Sequence, residues 1–348
     1  MTDSLVARLA PADFEQVARL VLPAPIYGWI ASGADDAQSL TDNVAAFRRW
    51  RLNAKVLVDV RTVDISTTVL GTKIDFPVMV APMGVQKAAH PEGELGTAAG
   101  VAATGSLFVE AINANTSMED IHAKHPNMAW WLQLYNWDDR PALERIIRRA
   151  ESAGASAIVP LVNTTADVSH TPPRVGYRLP GGLSFAHFDS SPGLDYGLTE
   201  EYIEWMAKLT TLPIVPKGIV RGDDAVRAVN AGAKGIMVSN HGGRQLSHEV
   251  STLDALPGVV KAVGKRAEVF LDGGVRHPSD VLIALALGAK AVTVGRPVMY
   301  GLAVGGGEGV TRVLEDFKTG VRDEAMLCGI TSINQLPSDL VVRTGGAS

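Results

Sequence analysis

From Phe76 onward, short apolar runs alternate with amphipathic stretches along the chain. Eight runs stand out, at 77–81, 107–110, 130–135, 157–162, 213–216, 235–239, 268–271 and 291–294. Each has the length and composition of a strand buried on both faces. Each is followed by a segment of helical periodicity, as at 94–103, 140–153 and 278–287. Strict alternation of strand and helix calls for a parallel sheet, and eight units close a barrel, so the expected fold class is α/β, a (β/α)8 TIM barrel. A doubly wound open sheet is the competing architecture, but no Gly-x-Gly-x-x-Gly turn follows the first run to support it.

Ahead of the barrel, residues 1–75 read as a mostly helical preface with amphipathic segments at 11–22, 26–32 and 36–50. Two short strands are expected after them, at 56–60 and 66–70. The organisation is therefore an N-terminal extension over 1–75 and a barrel over 76–348, with a loop insertion at about 163–197. That insertion carries Pro172-Pro173, Pro180-Gly181-Gly182 and Pro192-Gly193, and a loop of such length in a compact domain is functional or disordered; a lid is the expected reading, a disordered connector the alternative.

Composition narrows the class of partner. With 46% hydrophobic and 20% charged residues the chain has ample material for a buried core, and its net charge of −5 gives no reason to expect nucleic acid or an anionic membrane. A single cysteine, Cys328, excludes an internal disulfide and a Cys-based zinc cluster, and no metal is expected. No apolar run approaches the ~20 residues that span a bilayer. The first residues lack a signal-peptide pattern and the last are not Ser-Lys-Leu, so a cytoplasmic location is expected.

In a parallel barrel the chemistry sits at the C-terminal ends of the strands, and here those ends are polar. The first run leads into Ala81-Pro82-Met83-Gly84, the third ends at Gln133-Leu134-Tyr135 and the fifth at Lys217-Gly218. The sixth gives Ser239-Asn240-His241-Gly242-Gly243-Arg244-Gln245, the seventh Asp272-Gly273-Gly274-Val275-Arg276 and the eighth Gly295-Arg296. An imidazole takes a proton near neutral pH and a guanidinium holds a carboxylate by two parallel hydrogen bonds. His241 beside Arg244 thus suggests proton abstraction next to a carboxylate. The glycine-rich turns after the last two strands offer backbone N–H groups at helix starts, and Arg276 and Arg296 add charge, which points to a phosphate-bearing ligand. Lys217 reads two ways, as a Schiff-base lysine or as a cation beside an anionic cofactor.

These runs, together with His90-Pro91-Glu92-Gly93-Glu94 and Tyr27-Gly28-Trp29-Ile30-Ala31-Ser32-Gly33-Ala34, resemble the FMN-dependent α-hydroxy-acid oxidase and dehydrogenase family, in matching order as far as Leu336. Glycolate oxidase and lactate oxidase are members. The resemblance implies an FMN-binding barrel, usually a homotetramer, that oxidises a 2-hydroxy acid to the 2-oxo acid. By similarity, Pro82, Met83, Gly84 and Gln133 contact the flavin, and Lys217 and Ser239 lie by its N1/O2 edge. Asp272, Gly273, Gly274 and Arg276 hold ribityl and phosphate, with Gly295 and Arg296 completing the phosphate site. His241 is then the base, Arg244 the carboxylate clamp and Tyr135 a donor to the substrate hydroxyl. The cation reading of Lys217 displaces the Schiff base.

Departures from the family pattern cluster at the substrate. Trp29 stands where the family has a tyrosine, Ala111 and Asn113 where it has a serine and an aromatic, and Leu161 and Asn163 where it has a threonine and the aspartate that pairs with the histidine. Trp29, Asn113 and Asn163 are therefore expected to contact substrate, and a neutral Asn163 to leave His241 a weaker base. Asp167 is the loop residue that could stand in for that aspartate, although nothing in the sequence locates it, and Arg174 is a poorly aligned replacement for a second arginine that the family carries in the loop and that is not found at its place. The shortened loop and Asn113 suggest a substrate larger than glycolate or lactate, or one with a different polar group. Two other functions fit the same residues: an FMN barrel abstracting protons without net redox, and a flavin-binding protein that has lost catalysis.

Overall fold

The structure, a computed structural model, describes residues 6, 9, 13–165, 182–188 and 193–344. Three helices open it: α1 (Asp13–Val21), α2 (Ala24–Ala31) and α3 (Gln38–Phe47). The third ends short of its expected limit because β1 (Trp50–Leu52) pairs antiparallel with β12 (Val341–Arg343). No local pattern announces a pairing across that distance. The strand expected at 56–60 does not form. Val56 and Leu57 are exposed and Leu57 has a left-handed φ of 62°, so no layer covers this apolar stretch. The other expected strand is β2 (Thr67–Val69), and it returns as β3 (Thr72–Ile74) through a Leu70-Gly71 turn with φ of 46° and 87°.

Eight parallel strands follow: β4 (Val78–Val80), β5 (Leu107–Ala111), β6 (Ala129–Leu134), β7 (Ile158–Pro160), β8 (Lys217–Ile219), β9 (Gly235–Val238), β10 (Glu268–Asp272) and β11 (Ala291–Val294). Their spatial order is β7-β6-β5-β4-β11-β10-β9-β8, and bridges from Ile158 to Ile214 and from Leu161 to Lys217 close the ring. The expected barrel is what forms. The fifth strand begins later than its apolar run because Pro213 and Pro216 have no N–H to give a ladder. Their carbonyls still accept, from Ile158 and Met237 respectively.

Side chains alternate between two cores with the period of a strand. Met79, Val109, Trp131, Val159, Met237 and Phe270 fill the barrel, where Val69 and Ile74 of the β2–β3 hairpin join them and plug its lower end. Phe108, Leu132, Ile158, Ile236 and Leu271 face outward onto helices such as α6 (Arg140–Ser152), which buries Leu143, Ile146, Ile147 and Ala150 at helical spacing. The helices preceding α6 are α4 (Gly93–Thr104) and α5 (Met118–Lys124); α7 (Glu200–Leu209), α8 (Gly222–Asn230), α9 (Thr252–Val263), α10 (Pro278–Ala286) and α11 (Arg296–Leu327) follow it.

One outward position breaks the apolar rule. Glu110 on β5 is fully buried and faces His122 Nε2 of α5 at 3.5 Å and His187 Nε2 of the loop insertion at 3.3 Å. Burial pushes the Glu110 carboxyl up to about 7, and burial draws His187 down to about 4. The described part of the insertion is held here by two further bonds, from Ala186 N–H to the Ala114 carbonyl and from Asn115 Nδ2 to the Ser184 carbonyl, both at 2.9 Å. The folded carboxyl titrates above its ordinary value, so between the two pKa values the native state holds the extra proton and stability falls as pH rises. Glu110→Gln should therefore raise the melting temperature by a few degrees above neutrality and leave it unchanged in mild acid; thermal unfolding at the two pH values reads this directly.

Candidate active site

The strand tips gather cations around one cavity. Lys217, from the start of β8, places Nζ 2.9 Å from Asp272 Oδ2 and 2.9 Å from the Ser239 hydroxyl, all buried. Ser239 donates to Asp272 at 2.5 Å and accepts from the His241 N–H at 3.0 Å, while Thr293 donates to the other Asp272 oxygen at 3.0 Å. Burial alone would raise the Asp272 pKa, but Lys217, Ser239 and Thr293 together outweigh it and hold the carboxyl below its ordinary value. An ion-paired ammonium at this point is a fixed positive charge.

The loop after β9 runs through three consecutive left-handed residues, His241 (φ 58°), Gly242 (φ 64°) and Gly243 (φ 73°). A Cβ on Gly243 would lie 2.4 Å from the Leu40 backbone nitrogen, so glycine is required there by close approach as well as by φ. His241 adopts the same region without that freedom, a local cost of order 1–3 kcal/mol that tends to mark functional positions. The loop is fixed from below by reciprocal amide bonds: Asn43 Nδ2 donates to Asn240 Oδ1 at 2.7 Å, and Asn240 Nδ2 donates to Asn43 Oδ1 at 2.9 Å.

The N-terminal helices thus form one wall of the site. Helix α2 ends with unsatisfied carbonyls, a negative pole that attracts cations. Arg244 Nη1 donates to the carbonyls of Trp29 (2.6 Å) and Ser32 (3.1 Å). Arg296 donates through Nε to Ile30 (3.0 Å), Nη2 to Ser32 (2.8 Å) and Nη1 to Gly242 (3.1 Å). Among the described residues both Arg244 bonds use Nη1, which leaves its Nε–Nη2 edge for a ligand. Arg296 has five N–H donors, three of them engaged among the described residues, so two remain. Burial, then Arg244 and Arg276, draws Arg296 down to about 9. Burial also lowers His241 well below its ordinary value, with Lys217, Arg244 and Arg296 adding to the effect and Asp272 opposing it.

The cavity, about 800 Å³ of empty space that includes its opening to solvent, is a concave site of the kind that takes small molecules and cofactors. It brings together Trp29, Pro82, Met83, Lys217, His241, Arg244, Asp272, Gly273, Gly274, Arg276, Gly295 and Arg296. Gly84, Asn113, Gln133, Tyr135, Asn163 and Ser239 stand at the surrounding strand tips without lining it. A Cβ on Gly84 would meet Asn113 at 2.9 Å, so these two are in close contact. Among the described residues, Gln133 Nε2 and both polar atoms of Asn163 are buried with no hydrogen-bond partner. The Tyr135 hydroxyl is felt electrostatically by Arg244. Asp167 and Arg174 lie outside the described residues, as does most of the expected lid.

One expected anion contact is already taken. The backbone N–H groups of Arg276 and His277, at the start of α10, donate to the Asp280 carboxylate at 2.8 and 2.9 Å, whereas α11 begins with no side-chain cap. Of the two glycine-rich helix starts, that of α11 is the open one. Thr293 and Asn43 are site residues that the sequence reading missed. A polar residue at an inward position of the apolar β11 was the signal for Thr293; nothing local marks Asn43.

The FMN-dependent dehydrogenase family matches the chain over residues 18–343. Among curated relatives, 2-hydroxyacid oxidase 1 of Homo sapiens is 41% identical, spanning 94% of this chain and 95% of its own length. Glycolate oxidase 1 of Oryza sativa subsp. indica is 39% identical over 92% of each. A solved structure of mandelate oxidase with (S)-2-phenylpropionate has a TM-score of 0.89 at 40% identity, covering 93% of this chain and 96% of that one.

Proposed function

This chain belongs to the FMN-dependent dehydrogenase family, and on that premise we propose how its residues divide the work. The enzyme binds FMN and oxidises 2-hydroxy acids at the CH–OH carbon. Its relatives are oxidases by name, which leaves the non-redox barrel and the non-catalytic flavoprotein without support.

The site's own chemistry fits the cofactor. Lys217, Arg244, Arg276 and Arg296 converge on one cavity against the single buried carboxylate of Asp272, an excess of positive charge that a bound anion relieves. Arg276, whose one side-chain bond among the described residues is to its neighbour's carbonyl, would hold the phosphate with the remaining donors of Arg296, the Gly273-Gly274 turn and Gly295. Gln133 would spend its unpartnered amide on the flavin, Pro82, Met83 and Gly84 would flank it, and Lys217, fixed by Ser239 and Asp272, would set a positive charge beside it. Bound FMN supplies the acceptor for the substrate's two electrons.

Against that group, the free edge of Arg244 clamps the substrate carboxylate and the Tyr135 hydroxyl donates to its oxygen. His241 takes one of the two protons that the carbinol loses. The observation that carries this reading is the meeting of His241 and Arg244 in one cavity with the cations suited to FMN. Trp29 lines the cavity and Asn113 stands at a neighbouring strand tip, and we assign them, with Asn163, to a substrate bulkier than glycolate or lactate, in keeping with the mandelate oxidase neighbour. Anaerobic reduction by glycolate, L-lactate and (S)-mandelate tests the assignment: (S)-mandelate should bleach the flavin fastest, and fastest bleaching by glycolate would refute it.

A pH profile checks the base. With His241 held below its ordinary pKa, the free enzyme keeps a neutral imidazole into mild acid, so kcat/KM should stay flat through about pH 6.5 and fall only below it. An acid limb centred on the ordinary histidine value would contradict this. We also place the enzyme in the cytosol as a homotetramer, with residues 1–75 as an extension of the barrel and 163–197 as its insertion; light scattering on the purified protein reads the oligomer directly.

A further inference from the structure

Resting on the assignment of His241 as base, a second question is what holds its ring. A base that works through Nε2 must carry its other proton on Nδ1, and that proton needs an acceptor. Asn163, which stands where the family's partner aspartate is expected, makes no hydrogen bond to His241 among the described residues. The side chain that does reach Nδ1 is Gln245, whose amide nitrogen lies 3.3 Å from it and 3.1 Å from the Thr164 hydroxyl. A half-turn of that amide about its last bond exchanges nitrogen and oxygen. It then presents Oε1 to both His241 Nδ1–H and the Thr164 O–H.

We propose that Gln245 is the positioning residue of this site, accepting from His241 Nδ1–H with Thr164 holding the amide in place, and so fixing the tautomer in which Nε2 is the base. The charged groups facing the imidazole favour that orientation on balance: Lys217 from β8, Arg244 from the same loop and Arg296 from α11 outnumber Asp272 from β10. Positive surroundings draw the carbonyl end of the amide dipole inward. With nitrogen inward, the amide would instead donate to Nδ1, leave the ring proton on Nε2 and disable the base. A neutral amide oxygen stabilises the imidazolium less than a carboxylate does, so the site keeps the tautomer while forgoing full charge compensation.

The test has a spectroscopic arm and a kinetic arm. In ¹⁵N NMR of the FMN-loaded protein without substrate, His241, identified by the signal lost in His241→Asn, should show the Nδ1–H tautomer, and Gln245→Met should populate Nε2–H. Anaerobic flavin reduction by (S)-mandelate should slow about 10- to 100-fold in Gln245→Met with FMN retained, the scale expected for an orienting partner. In Gln245→Glu the tautomer should persist while the acid limb of the pH profile moves to higher pH, because a carboxylate raises the imidazole pKa. Thr164→Val should give a smaller loss in the same direction and serves if Gln245→Met fails to fold. Unchanged tautomer and unchanged pH profile in the Gln245 variants, with reduction abolished in His241→Asn, would overturn the proposal and leave the base assignment standing. Wild-type reduction in His241→Asn would overturn the base assignment instead, and the NMR arm would still decide the tautomer.

Discussion

Replacing His241 with asparagine is expected to slow anaerobic flavin reduction by about 10²- to 10⁴-fold while the protein keeps its FMN, the scale on which a positioned general base acts. The reason lies in what else His241 does. Its backbone N–H is bound to Ser239 and its ring contacts Gln245, but among the described residues its ring makes no hydrogen bond to the Lys217–Ser239–Asp272 chain or the arginines. Asparagine also tolerates the left-handed φ of 58° that the position demands, so the variant loses the base without straining the loop. Equal loss of FMN and of activity would mean that the residue builds the site and does not act in it.

The second large effect is expected at Arg244. Arg244→Met should cost about 2–5 kcal/mol of substrate binding and reduction, roughly 30- to 5,000-fold, because the carboxylate would then be buried without its partner. Arg244→Lys should recover part of this, since it restores charge but neither the two-donor edge nor the Nη1 bonds to the Trp29 and Ser32 carbonyls. The reading is made on the substrate dependence of anaerobic reduction, where the dissociation constant should rise in both variants and further in Met. Wild-type affinity in Arg244→Met would remove the clamp from the account. The lysine variant also probes architecture, because Arg244 and Arg296 together bind the Trp29 and Ile30 carbonyls in the last turn of α2.

Much of this was legible in the sequence, for a physical reason. Strands buried on both faces must be apolar throughout, so the eight runs from Val78 to Val294 announced the barrel, and the polar residues that interrupt apolarity at their tips announced the site. What escaped was decided by partners far along the chain. Trp50–Leu52 pairs with Val341–Arg343, and an apolar stretch at Val56 and Leu57 is left uncovered because nothing folds over it. Asn43 has no local signature, since its meaning lies in Asn240. The start of α10 looked like an anion site by its glycines, but Asp280, three residues into the helix side, takes the N–H groups first. Gln245 was in plain view beside His241 and Arg244, yet only the fold shows that its amide reaches the imidazole.

The most direct test of the central claim is an anaerobic titration of the purified, FMN-loaded protein with (S)-mandelate or a 2-hydroxy acid of similar bulk. The account predicts that each equivalent of acid bleaches one equivalent of flavin and yields one of 2-oxo acid. A protein that binds no FMN, or one whose flavin stays oxidised under excess of every acid tried, would contradict it.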